Sequence, residues 1–198
     1  MSYRKEGIMT VSYVEREQAS PQTLEFYDKA EERFEMLLNI FKVFGHTPEL
    51  GTVFTDMIMA ILKDGELDWT TKELIILKAT HRNECQYCVV QHETLSKRMG
   101  ITDEKIKDIG DDRYKASAHF TDAEKALLDL TIQIGVDANN VGEELWSRLK
   151  THFTEPQIVE AVFTITIYIA VSKFGDALGV QLEPVFKDMQ PILPVAHG

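Results

Sequence analysis

Apolar side chains recur every three to four residues along most of this chain, in blocks separated by short polar turns. That is the period of helices that bury one face. Three blocks open with the same device: WTTKELIILKAT (69–80), FTDAEKALLDLT (120–131) and FTEPQIVEAVFT (153–164) each have an aromatic, then Thr, then Glu or Gln three residues on. The pattern predicts capping boxes in which Thr70, Thr121 and Thr154 are N-caps and Glu73, Glu124 and Gln157 reach back to the cap. Trp69 and Phe153 precede Leu74 and Ile158 at the spacing of a hydrophobic staple. The likeness of the three openings fits a duplicated helical unit and, equally, three independent good helix starts. Upstream, Ser20 with Pro21 opens a helix expected to run to about Phe44, where Gly45 stops it. Thr47 with Pro48 opens another, ending near Asp64 and Gly65. Met99 followed by Gly100 reads as a helix stop, and TDEKIKDI (102–109) as a short helix with an acidic start. One block departs from the pattern. FTITIYIAV (163–171) is rich in β-branched residues and alone would suit a strand. A cap precedes it, the apolar pattern continues to Leu178, and there is no second strand to pair with, so it is read as a buried helix. The chain is expected to be all-α.

Length and composition bound this picture. With 198 residues, 44% of them hydrophobic, the chain can bury one sizeable core. No Pro/Gly/Ser-rich linker divides it. The expected organisation is an N-terminal arm (1–19), a single helical domain (20–189) and a C-terminal tail (190–198), the two ends fraying or packing on a neighbour. The formal charge of −11, without a basic run, argues against a nucleic-acid partner and suits a protein kept soluble by its acidity. The start, MSYRKEGIMTVSYVEREQ, lacks the apolar core of a signal peptide. AVFTITIYIAV (161–171) is too short to span a bilayer. A cytoplasmic protein with no membrane partner is therefore expected. In a reducing compartment a cysteine pair serves catalysis or metal binding more often than stapling.

The chain's two cysteines lie in HRNECQYCVVQH (81–92). Asn83 is the expected N-cap of a helix there, with Gln86 as its partner. At about 100° per residue, Cys85, Cys88 and His92 share one face, continued by Leu95 and Met99. The helix N-terminus and a protonated His92 would both favour a thiolate, the nucleophile of peroxide reduction and of disulfide exchange. Helix position favours Cys85 as the more acidic and more exposed thiol, whereas His92, one turn after Cys88, favours Cys88. The bland alternative is two ordinary buried cysteines. Glu73 has two readings as well, the capping partner of Thr70 or a buried carboxylate that orients His92 and passes protons. Zinc held by Cys85, Cys88, His92 and Glu73 is a further alternative, although structural sites draw ligands from two separated clusters and seldom use Glu. An inactive helical scaffold is the last. His81 is either a gate for the pair or a solvated turn histidine, and His46, His119 and His152 are expected at the surface. Trp146 and Tyr168 are expected to pack.

The spacing of Glu73, Cys85, Cys88 and His92, with TKELIIL before the pair, QYC within it and ALGVQLEP near the end, resembles the signature of AhpD-like alkylhydroperoxidases of the carboxymuconolactone decarboxylase superfamily. The resemblance spans roughly residues 20–185. It implies an AhpD-like multi-helix bundle, homo-oligomeric as a homotrimer or homohexamer. It also implies a site in which Cys88 attacks a hydroperoxide and Cys85 resolves the sulfenic acid as a disulfide. Glu73 and His92 would relay protons, which favours the relay reading of Glu73 over the cap. No cofactor and no metal are called for. The partners would be a small-molecule hydroperoxide and a dithiol electron donor such as a lipoyl carrier. Two features depart from the pattern: Tyr87 stands where some members carry a histidine, and the N-terminus is longer than in the shortest members. Lactone decarboxylases of the superfamily do not depend on the cysteine pair, so its presence favours redox chemistry.

Overall fold

Residues 9–189 and 191–192 are described by a computed structural model, and no strand occurs among them. Nine α-helices follow in order: α1 (Pro21–Phe34), α2 (Asn39–Phe44), α3 (Pro48–Ile61), α4 (Trp69–Arg82), α5 (Gln86–Arg98), α6 (Asp103–Gly110), α7 (Asp122–Asp137), α8 (Glu143–His152) and α9 (Glu155–Leu178). The expected all-α class is what the structure has.

Helix α4 is the axis of the bundle. Every residue from Lys72 to Thr80 is buried, because α5, α6, α7 and α9 all pack around it. Its Ile75 belongs to one apolar cluster with Leu127 of α7 and Ile165 of α9, Leu74 and Leu77 to a second with Ile106 and Ile109 of α6, and Ile76 and Ala79 to a third with Ile58 of α3 and Tyr168 of α9. Each such fully buried Leu or Ile stabilises the fold by roughly 1.5–3 kcal/mol. Two lysines on this buried helix need partners, since an unpaired charge in the interior is strongly unfavourable. Lys72 Nζ lies 2.8 Å from Glu160 Oε1, and Lys78 donates to the carbonyl of Ile109 at 2.7 Å and to Asp112.

The capping boxes at Thr121 and Thr154 are present as expected, and Ser20 caps α1. The one expected at Thr70 is not. Asp68 is the N-cap of α4, its Oδ1 accepting the N–H of Thr71 at 2.8 Å, while Thr70 sits inside the first turn and Glu73 points into the core. Asp68→Ala is therefore expected to lower stability by about 1 kcal/mol and Thr70→Ala to leave it nearly unchanged. Denaturant midpoints of the two variants check this directly.

The helix expected to run unbroken to Phe44 is two helices. Glu35 adopts a left-handed conformation (φ 62°) that ends α1. The first free N–H of α2, on Asn39, is bound at 2.6 Å by Glu183 Oε1, which arrives from the far end of the chain. After the break α2 meets α5, the N–H of Ile40 donating to Tyr87 Oη at 3.3 Å, and its Ile40 and Phe41 line the cavity described below.

The β-branched block is helical, within α9. At 24 residues α9 is long and apolar enough to cross a bilayer by length and composition, contrary to the expectation from its apolar stretch alone. Here it supplies side chains to three core clusters, among them Ile165, Tyr168 and Phe174. Its outer face is not buried as expected, since Val159 and Phe163 are exposed. Of the arms, residues 1–8, 190 and 193–198 lie outside the described residues. Residues 9–19 pack on their own chain: Thr10 N–H donates to Leu178 O at 3.0 Å, Val14 N–H to Lys42 O at 3.1 Å, and Tyr13 Oη accepts the N–H of Gln181 at 2.9 Å.

Candidate active site

The turn between α4 and α5 is short. Asn83 caps the end of α4, Glu84 takes a left-handed conformation (φ 56°), and Cys85 is itself the N-cap of α5. The expected cap, Asn83, is displaced to that other role because α4 runs on through Arg82. A side chain at an N-cap folds back over the first turn. Cys85 Sγ accordingly accepts the N–H of Cys88 at 3.3 Å, and the two sulfurs are joined as a disulfide with Cα atoms 5.4 Å apart.

The expectation that Cys85 is the more exposed sulfur is overturned. Cys85 is fully buried and Cys88 is 4% exposed. The reason lies on α9, which packs over Cys85 so closely that a Cβ added at Gly175 would sit 3.9 Å from its Sγ. Cys88 instead opens into a cavity of about 460 Å³. Phe34, Phe41, Phe54, Ile58, Leu95 and Val171 contribute its apolar walls, and His92 and Tyr168 line it beside Cys88.

Helix α5 brings His92 to the cavity one turn after Cys88, and α4 brings Glu73 beneath it. His92 Nδ1 and Glu73 Oε1 are 2.7 Å apart. With Glu73 ionised, Nδ1 carries the proton and donates it to this bond, which leaves Nε2 as the basic nitrogen. Glu73 is fully buried; Oε1 also accepts from Ser96 Oγ at 3.3 Å, and Oε2 has no hydrogen-bond partner among the described residues. The ring of Tyr168 packs edge-on against the imidazole at 4.9 Å and fixes its plane. Burial, reinforced by the charge of Glu73, holds the Tyr168 hydroxyl well above the usual tyrosine pKa, so it stays protonated. The four residues singled out by spacing thus divide into a disulfide with one sulfur on the cavity and a carboxylate–imidazole pair that reaches the same cavity.

Three contributors were not foreseen: Ser172, Gly175 and Glu183. Ser172 Oγ lies 3.8 Å from Cys88 Sγ and donates to the carbonyl of Tyr168 at 2.8 Å. Tyr168, Ser172 and Gly175 form a stripe at helical spacing on α9, and a serine within that apolar stripe was the available signal. Glu183 is the third, a buried carboxylate that accepts from Asn39 N–H, from Tyr87 Oη at 2.9 Å and from Gln91 Nε2 at 3.0 Å. Tyr87 therefore does not stand in for an imidazole in the relay. It anchors the C-terminal segment to α5, and burial, with the charge of Glu183, keeps its hydroxyl protonated.

His81 is neither solvated nor in a turn. It lies in α4, and its Nε2 is 3.0 Å from Glu93 Oε1 of α5, a close approach without hydrogen-bond alignment. His46, His119 and His152 are exposed as expected. Among the described residues no three His, Cys, Asp or Glu side chains converge in a way that could hold a metal ion, so the four ligands of the zinc alternative do not gather.

Comparison with known proteins places this arrangement among relatives. The model of the carboxymuconolactone decarboxylase family matches residues 48–133, from α3 into α7 and across the whole α4–α5 unit. "Uncharacterized protein 4 in cox locus" of Paracoccus denitrificans is 33% identical over 89 residues, covering 42% of this chain and 80% of that protein. Among solved structures, an uncharacterized peroxidase-related protein with an alkylhydroperoxidase AhpD core, from Ralstonia eutropha JMP134, superimposes with a TM-score of 0.78 at 19% identity, over 91% of this chain and 95% of that one. A variant of the debrominase Bmp8 in complex with 2,3,4-tribromopyrrole does so with a TM-score of 0.72 at 19% identity, again over 91% and 95%.

Proposed function

The chain belongs to the carboxymuconolactone decarboxylase family and has an AhpD-like helical fold, and from that premise we propose that it is a thiol-dependent peroxidase working through Cys85 and Cys88. One observation carries the reading: of the two bonded cysteines, Cys88 and not Cys85 lines the cavity, and His92, tied to Glu73, lines the same cavity. In the reduced protein His92 Nε2 takes the proton of the Cys88 thiol, and Glu73 stabilises the imidazolium. The thiolate attacks the distal oxygen of the hydroperoxide, the O–O bond breaks, and the departing alkoxide takes the proton back from His92 and leaves as alcohol. Cys88 is now a sulfenic acid. Cys85 attacks its sulfur, the S–S bond forms, the S–O bond breaks, and the hydroxyl leaves as water with the Cys85 proton. An external dithiol of the lipoyl-carrier type then reduces the disulfide to two thiols and ends as a disulfide itself. It meets Cys88 first, because α9 seals Cys85. A reducing cytoplasm suits this cycle.

The test is consumption of cumene hydroperoxide by the reduced protein with dihydrolipoamide, glutathione or a thioredoxin-type protein as donor. Sustained turnover with a dithiol supports the reading; no consumption above the Cys88→Ser background with any donor counts against it. The aromatic walls of the cavity favour a second reading, removal of bromine from an apolar ring. There a C–Br bond is exchanged for C–H while the two thiols become the disulfide and release bromide and a proton. Bromide released from a brominated pyrrole in place of peroxide turnover would select it.

The same proposal includes assembly as a homotrimer or homohexamer. Leu50 and Val53 on α3 and Val159 and Phe163 on α9 leave apolar side chains on the surface, Val53 67% and Val159 68% exposed, that a second copy would cover. Light scattering at micromolar concentration is expected to give a multiple of the chain mass, and a monomer would contradict the assembly.

A further inference from the structure

The cavity at Cys88 carries a charge that the peroxide chemistry leaves unused. Arg98 lines it, is exposed, and makes no ion pair or hydrogen bond among the described residues. Cys88, Gln91, His92, Leu95 and Arg98 all line the cavity and form one stripe of α5. Ten residues separate Cys88 from Arg98, so the guanidinium stem starts about 15 Å along the helix axis from the reactive sulfur. The polar side chains of the lining between them are already engaged: Gln91 with Glu183, His92 with Glu73, and Thr94 with the carbonyl of Val90 and the sulfur of Met189. The rest of the lining is largely apolar, with Leu95 on α5, Phe34 on α1 and Met189 in the C-terminal segment.

A cation at the end of α5 has a structural reason to exist, because it complements the helix C-terminus. Lys97 serves that end as well and is tied to Asp103 at 3.4 Å, which leaves Arg98 for the cavity. Glu35, the other charged residue of the lining, is the exposed last-turn cap of α1 and lies off the α5 stripe. In a protein of net charge −11 the overall field repels anions, so an anionic ligand is drawn only where a cation stands free.

We propose that Arg98 receives the carboxylate of an amphipathic long-chain substrate whose apolar chain fills the cavity and whose reacting group lies at Cys88. On the peroxidase reading, which this inference extends, the substrate class is the fatty-acid hydroperoxide. Recognition of the carboxylate itself does not depend on that reading, and the experiment separates the two. Dodecanoate and dodecanol are titrated into the full-length disulfide form by calorimetry. The acid is expected to bind about tenfold more tightly than the alcohol, Arg98→Gln to bring the acid down to the alcohol, and Arg98→Lys to restore part of the difference. Arg98 is exposed and unpaired, so neither variant threatens folding. In turnover, Arg98→Gln is expected to raise KM for linoleate hydroperoxide about tenfold at unchanged kcat, and to leave KM for uncharged cumene hydroperoxide within about twofold. Equal affinity of the wild type for acid and alcohol, or an equal loss of both in Arg98→Gln, overturns the proposal. Failure of the wild type to turn over any peroxide removes the peroxidase reading alone, and the dodecanoate titration still decides the role of Arg98.

Discussion

Cys88→Ser is expected to abolish peroxide reduction, whereas Cys85→Ser should complete one stoichiometric reaction and stop with a sulfenic acid at Cys88. Dipole arguments from the sequence pull the other way, since Cys85 sits at the helix start and the partial charge there fades after the first turn. Position in the fold decides between them. Cys88 lines the cavity with His92, and Ser172 Oγ lies 3.8 Å from its sulfur, while Cys85 is sealed beneath α9. A peroxide in the cavity therefore meets Cys88 alone, and a sulfenic acid formed there is sheltered until Cys85, already at disulfide distance, attacks it. In Cys85→Ser that second step is removed, so a trapping reagent specific for sulfenic acids should label Cys88, as read by mass spectrometry of the peptide. Cys88→Ser should neither react rapidly nor trap. Sulfenic acid at Cys85 in that variant, formed at the wild-type rate, would reverse the order of the two thiols.

Glu73→Gln should depress turnover about a hundredfold while moving stability by no more than about 1 kcal/mol. The structure removes the reason to expect a folding effect, because Asp68 and not Glu73 completes the start of α4. Glutamine keeps the size and can still accept from His92 Nδ1. It lacks the charge that stabilises the imidazolium once His92 has taken the thiol proton. Glu73 Oε2 is buried without a hydrogen-bond partner among the described residues, so losing the charge also relieves a desolvation cost that opposes the weakening of that bond. Rates at saturating peroxide and denaturant midpoints, measured on the same preparation, separate the two effects. Wild-type turnover in Glu73→Gln would leave the residue only a packing role.

The features legible in the sequence are local ones. Thr121, Thr154 and Ser20 cap where the pattern places them, because a cap needs only residues three apart. The stripe of Cys85, Cys88 and His92 was legible for the same reason, being a consequence of helical period. Thr70 failed because Asp68, two residues earlier, offers a better acceptor, and because Glu73 is claimed by His92 nineteen residues away. The break between α1 and α2 was invisible in a region of good helix formers. It depends on Glu183, 144 residues distant, capping Asn39. The burial of Cys85 likewise depends on α9, whose Gly175 lies against its sulfur. In each case the deciding contact joins residues that sequence spacing cannot connect.

The most direct test of the central claim is a single turnover without any reductant. The fully reduced wild-type protein is mixed with one equivalent of cumene hydroperoxide, and alcohol, residual peroxide and free thiols are counted. One alcohol per chain, with both thiols lost to the Cys85–Cys88 disulfide, is the predicted result. Unconsumed peroxide with both thiols still titratable would contradict it.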